Sequence, residues 1–133
     1  MAKPSVLVVD DEEPVRLILR VNLEASGFRV VEAPDGAAAI TAATRDAPDL
    51  VVLDLMMPGI DGWAVLAGLR TAFAHESRPV IILSASVSPD NQQRARDEGA
   101  SFLAKPFEVE QLVELAQELT RDRRSKRTGT ETR

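Results

Sequence analysis

Residues 48–62 read PDLVVLDLMMPGIDG, in which a short apolar run, Leu50 to Leu53, ends on Asp54 and then meets the turn Met57-Pro58-Gly59. An apolar run of that length, rich in valine and closed on both sides by proline or glycine, predicts a buried strand. Runs of the same kind recur along the chain: Ser5 to Val9 (SVLVV), Arg29 to Ala33 (RVVEA), Pro79 to Leu83 (PVIIL) and Ser101 to Ala104 (SFLA). The first, third and fourth of the five are continuously apolar, as strands covered on both faces are, whereas Arg29 to Ala33 is more polar and suits a sheet edge.

Longer amphipathic stretches separate these runs. The first helix is predicted from about Pro14 to Ser26, with Val15, Ile18 and Leu19 on its apolar face and Gly27 as its stop. The second, alanine-rich, covers about Asp35 to Arg45; the third begins at Gly62 and turns Val65, Leu66 and Leu69 inward. The fourth is strongly polar, follows Pro89 and closes at Gly99; the fifth starts near Glu108 and repeats Val109, Leu112, Val113, Leu115, Ala116 and Leu119. Strands alternating with helices predict an α/β fold, a doubly wound parallel sheet of five strands flanked by five helices. Crossovers should be right-handed, and ligands should bind at the carboxyl ends of the strands.

Those strand ends carry Asp10 and Asp11, Asp54, Ser84 and Lys105. Carboxylates brought together raise one another's pKa unless a cation sits among them. Oxygen donors without histidine or cysteine favour a hard divalent ion, and Mg²⁺ takes one or two carboxylates together with phosphate oxygens; Mn²⁺ could substitute. Asp54, at the mouth of the sheet, is the candidate nucleophile, while the adjacent Asp10 and Asp11 are placed to share the cation. A carboxylate can attack phosphorus to give an acyl phosphate. Lys105 and the metal would then spread over the phosphoryl oxygens, and Ser84 could donate a hydrogen bond to one of them.

Composition is compatible with this. The 133 residues are 44% hydrophobic and 28% charged, with no cysteine, which excludes disulfides and thiolate metal sites. The N-terminus has one lysine, a short apolar run and four acids, unlike a secretory signal, and no stretch reaches the length of a membrane span, so a cytoplasmic location is expected. The net charge of −5 is uneven: residues 1–120 hold 10 Lys+Arg against 19 Asp+Glu, whereas residues 121–133 hold 6 against 2. The acidic body should repel nucleic acid, and residues 121–133 are expected to be a basic, disordered tail behind a domain of residues 1–120.

The segments VLVVDDEEP at 6–14, PDLVVLDLMMPGIDG at 48–62, PVIILSAS at 79–86 and EGASFLAKPF at 98–107 together resemble a bacterial two-component response-regulator receiver domain of the CheY-like kind. The resemblance extends to about Leu119 and implies a flavodoxin-like strand order 2-1-3-4-5. It implies that a histidine kinase or histidine phosphotransfer protein supplies a phosphoryl group from phosphohistidine to Asp54. Mg²⁺ would be held by Asp11, Asp54 and the main-chain carbonyl of Met56, with Asp10 acting through a water. The Lys105–Pro106 peptide bond would be cis. Ser84 and Phe102 would form a switch that reshapes the face made by the fourth helix, fifth strand and fifth helix, where an output protein binds, either to a monomer or in a phosphorylation-dependent dimer. Met56 and Ser86 would tune hydrolysis, and apolar Met56, unable to align a water, implies slow self-dephosphorylation. The domain would therefore be a self-phosphorylating switch and not a separate enzyme.

Other readings compete residue by residue. An acidic pair such as Asp10 and Asp11 also suits a helix N-terminus, and Asp61 with Gly62 reads as a turn and N-cap. His75 reads as a surface residue and Trp63 as a packing anchor. Glu12 and Glu13 suit the first helical turn, Glu13 being close enough to influence the acidic cluster. A magnesium-dependent aspartate phosphatase of the haloacid-dehalogenase type would need a second acid two residues after the nucleophile, where Met56 stands. The remaining alternative is a receiver segment of a longer DNA-binding regulator.

Overall fold

The computed structural model describes residues 3–74 and 76–131, with side chains as far as Asp122. His75, expected at the surface, lies outside the described residues. The elements in chain order are β1 (Ser5–Val9), α1 (Glu13–Ala25), β2 (Arg29–Ala33), α2 (Gly36–Asp46), β3 (Leu50–Asp54), α3 (Gly62–Ala72), β4 (Val80–Ser84), α4 (Pro89–Asp97), β5 (Ser101–Ala104) and α5 (Val109–Glu131). A two-residue antiparallel ladder, Met56–Met57 with Ile60–Asp61, closes the loop between β3 and α3.

The five strands form one parallel sheet in the order β2-β1-β3-β4-β5. The chain leaves β1 toward β2 on one side and returns to β3 on the other, so the order reverses between β1 and β3, where ligands bind in such sheets. The register aligns Val9 with Leu53 and Asp54 with Leu83. Polar Arg29–Ala33 is indeed an edge strand.

Alternation along the buried strands builds two cores, one on each face. Leu7, Val9, Val51, Leu53, Val80 and Ile82 face α2 and α3, packing on Val65, Leu66 and Leu69. Val6, Val8, Leu50, Val52, Ile81 and Leu83 face the other way, onto Leu19 and Leu23 of α1 and Leu112 and Ala116 of α5. Both faces must be apolar, which is why these strands read as unbroken runs.

Several expected boundaries shift. β4 starts at Val80, because Pro79 has no amide to give the ladder, although its carbonyl accepts from Val51 N at 3.1 Å. The strand reaches Ser84, whose carbonyl accepts from Lys105 N at 2.9 Å. In α1 the buried row is Leu19 and Leu23 with Val15 partly covered, spaced i, i+4; Ile18, expected inward, is 48% exposed because it sits about 100° around the helix from Leu19. Gly27, at φ +98°, ends α1 in a conformation that side chains avoid. Asp35, Asp61 and Ser88 cap α2, α3 and α4, each accepting an amide hydrogen bond from the first turn. The helix α5 runs through Glu131, past the expected limit near 120, since Arg121–Arg127 is rich in good helix formers and contains no proline. Most of the segment set apart as a tail is thus helical backbone.

Candidate functional site

The loops at the carboxyl ends of β1, β3, β4 and β5 gather one charged cluster. Asp10 follows β1 and is fully buried. Its Oδ1 accepts from Glu12 N at 2.9 Å, closing the turn into α1, and its Oδ2 accepts from Lys105 Nζ at 3.1 Å. Asp54 ends β3, also buried, with Oδ1 accepting from Met56 N at 3.1 Å and Oδ2 lying 3.3 Å from Lys105 Nζ. Lys105 therefore bridges two carboxylates that come from different strands and would otherwise repel each other across the sheet switch point.

Lys105 follows β5, and the Lys105–Pro106 bond is cis. The ammonium also lies 3.9 Å from Glu12 Oε2. Burial alone would lower the Lys105 pKa, but the hydrogen bond and charge of Asp10, and then those of Asp54, outweigh it and hold the ammonium above its ordinary value. For Asp54, burial pushes the carboxyl pKa up and the Asp10 charge adds to it, against the opposing Met56 amide and Lys105. A buried carboxyl with a raised pKa beside a fixed cation, at a sheet switch point, has the physical marks of a reactive group.

Oxygens of Asp10, Asp11 and Glu12 lie within 4.8 Å of one another, a spacing that one ion can span. Asp11 and Glu12 are exposed and Asp10 buried, so the set opens to solvent on one side. All donors are oxygens, which fits a hard divalent cation. Glu12, expected to serve the first turn of α1, also joins the acidic group, and Asp54 meets that group through Lys105.

Ser84 ends β4 with no exposure, and its Oγ accepts from Ser86 N at 3.0 Å. Ser86 in turn accepts from Asn91 Nδ2 at 3.2 Å in the first turn of α4, so hydrogen bonds run from the site's edge into that helix. Met56 is 57% exposed at the loop surface. Phe102, on β5, is half-buried and packs on the core shared with α2 and α3. Asp61 caps α3 through Trp63 N, away from the charged cluster, and half-buried Trp63 packs on the core with the Arg94 guanidinium 5.0 Å from its ring centroid.

Two participants have no sequence signature. Glu12 reads as an ordinary first-turn acid, and its approach to Lys105 depends on β1 and β5, which have β3 and β4 between them, ending on the same carboxyl edge of the sheet. Arg16, inside α1, donates from Nη1 to the carbonyl of Asp10 at 2.7 Å, a contact that only the direction of its side chain reveals.

Comparison with known proteins places this geometry in context. The response regulator receiver domain family matches residues 6–117. The transcriptional regulatory protein PrrA of Mycobacterium tuberculosis is 40% identical over 131 residues, covering 98% of this chain and 55% of PrrA. The regulator KdpE from the same species is 40% identical over 109 residues, 81% of this chain and 47% of KdpE. The chain thus spans about half the length of the curated relatives it matches. Among solved structures, the receiver domain of the Francisella response regulator 1452 superposes with a TM-score of 0.80 at 32% identity, covering 90% of this chain and 98% of that one. NtrX from Brucella abortus gives a TM-score of 0.86 at 31% identity over 100% of this chain and 30% of its own.

Proposed function

The chain belongs to the response regulator receiver domain family, whose members serve phosphorelay signalling in two-component systems, and on that premise we propose that Asp54 is the phospho-acceptor of this receiver. The observation that carries the proposal is the ammonium of Lys105, held 3.3 Å from Asp54 and 3.1 Å from Asp10 at the point where the strand order reverses. A buried carboxylate beside a fixed cation and an open acidic pocket is suited to receive a dianionic phosphoryl group.

In the proposed transfer an Asp54 oxygen forms the P–O bond as the P–N bond of a phosphohistidine breaks. The imidazole departs with the bonding pair and takes up a proton. The donor is a histidine kinase or histidine phosphotransfer protein. Lys105 Nζ needs only a small displacement to donate to a phosphoryl oxygen. Ser84 Oγ already accepts from Ser86 N, which leaves its own hydrogen available for a second oxygen. Mg²⁺ is the proposed cofactor, held by Asp10, Asp11 and Asp54 with the main-chain carbonyl of Met56; when bound it would neutralise the phosphoryl oxygens. The exposed thioether of Met56 cannot orient a water for attack, so slow hydrolysis of the acyl phosphate is proposed. Engagement of Ser84 and inward movement of Phe102 would then alter the face formed by α4, β5 and α5.

A second reading concerns output. PrrA and KdpE carry names of transcriptional regulators, and PrrA aligns with 98% of this chain through 55% of its own length. This favours a receiver of residues 1–120 acting with a DNA-binding output part, the remainder of α5 serving as a connector. No helix among the described residues is long and apolar enough to cross a membrane.

The test is to incubate the protein with acetyl phosphate or phosphoramidate and Mg²⁺ and weigh it. One added phosphoryl mass, absent in Asp54→Asn and absent with EDTA, is expected. A gain that persists in Asp54→Asn would overturn the assignment.

A further inference from the structure

We propose that Arg16 is a positioning residue for the acidic half of the site, setting the orientation of the Asp10–Asp11 peptide on which cation binding depends. The inference rests on the cation-site reading above. Arg16 lies on the first turn of α1, its amide donating to Glu12 O at 3.1 Å, and its side chain leans back over the loop that carries the acids. The guanidinium is used as a fork. Nη1 donates to the carbonyl of Asp10 at 2.7 Å, and Nε donates to Glu32 Oε1 at 3.1 Å on β2. Glu32 is held from its other oxygen by Arg20 Nη1 at 2.7 Å. The Arg16 side chain is only 14% exposed and Glu32 24%, so this is no solvent-screened surface pair.

The carbonyl that Arg16 grips belongs to the planar unit joining Asp10 to Asp11, so fixing it fixes the direction in which Asp11 leaves the loop. Without the fork that peptide could rotate and carry Asp11 away from Asp10 and Glu12. Glu32 performs two tasks: it locks the guanidinium in place and compensates its charge, which would otherwise repel a cation bound at the acidic group. Two physical effects therefore oppose each other on removing Arg16. If through-space charge dominated, loss of a cation would tighten divalent-ion binding. If positioning dominates, binding weakens, because groups that orient metal ligands commonly matter about 10-fold or more in affinity.

The experiment measures the Kd for Mn²⁺ from the free-ion electron paramagnetic resonance signal on the full chain, well below the melting temperature of each variant. Wild type should bind and Asp11→Asn should not; failure of either would overturn the cation-site reading itself. Arg16→Met should raise Kd about 10-fold. Arg16→Lys, which keeps the charge but lacks the fork, should be weakened similarly, and remains informative should Arg16→Met not fold. Arg20→Met, which touches Glu32 but not Asp10, should raise Kd by clearly less than the Arg16 variants do. An unchanged or lower Kd in the Arg16 variants of a binding-competent protein, or an equal loss in Arg20→Met, would overturn the role of Arg16.

Discussion

Lys105 and Asp54 illustrate how a single residue's chemistry is decided by its neighbours. An aspartate after a strand is by default a turn residue, and Asp54 does accept the Met56 amide as such residues do. What separates it from that default is burial together with the charge of Asp10, which raise its pKa above the ordinary value of 3.8 despite Lys105. A carboxyl whose pKa is raised by folding stabilises the native state below its unfolded pKa, and that contribution is lost as pH rises through the folded value. In EDTA, Asp54→Asn should therefore melt at a higher temperature than wild type near neutral pH, with the difference shrinking as pH falls toward 3.8. Thermal scans by circular dichroism across that range check this; a difference that grows toward acid would contradict it. Lys105 has the same sense in an alkaline window: its raised pKa contributes stability that persists below the ordinary 10.5 and disappears only as pH climbs through the folded value.

Among the elements, α3 and α4 differ in how firmly they are held. Gly62 opens α3 directly against Leu55, and a Cβ there would come within 2.6 Å of the Leu55 carbonyl oxygen and 2.8 Å of its Cα. Backbone cannot yield as a side-chain tip can, so Gly62→Ala should cost about 1–3 kcal/mol in urea unfolding. Because Leu55 follows Asp54, the same change should also slow phosphorylation by phosphoramidate. By contrast α4 buries only Ala95 and is tied to α3 by Arg94 over the Trp63 ring and by Arg70 donating to the Glu98 carbonyl. With so little apolar contact, α4 amides should exchange hydrogen faster than those of α3 in the native protein, measurable by mass spectrometry; equal protection would contradict this. The polar run DNQQRARDE announced a surface helix, but not that two arginines fasten it. Those contacts join positions 31 and 28 residues apart, beyond what any helical period can indicate.

For the whole molecule, the sheet separates two cores that share no side chain. Leu66 packs with α3 on one face and Leu23 with α1 on the other. Each is almost wholly buried, so Leu66→Ala and Leu23→Ala should each cost about 2–5 kcal/mol. Sites this well separated should combine additively to within about 0.5 kcal/mol, tested by a double-mutant cycle in urea. Strong coupling would mean that the two faces do not pack independently.

The sequence by itself determined that this protein is a parallel α/β domain, because strand runs covered on both faces must be apolar throughout and the helices between them carry readable caps and stops. It also determined that Asp10, Asp11, Asp54, Ser84 and Lys105 stand at one edge, since strands of a parallel sheet end together. Only the tertiary structure decided which of these groups touch. Lys105 meets Asp10 across 95 positions of chain, Glu12 enters the acidic group and Arg16 reaches back to its carbonyl while pairing with Glu32. Side-chain direction and the register between strands set those contacts, and neither is written in local periodicity. For Ile18 the helical period fixes only the roughly 100° that separates it from Leu19, and the packing of α1 on the sheet decided that the Leu19–Leu23 row turns inward.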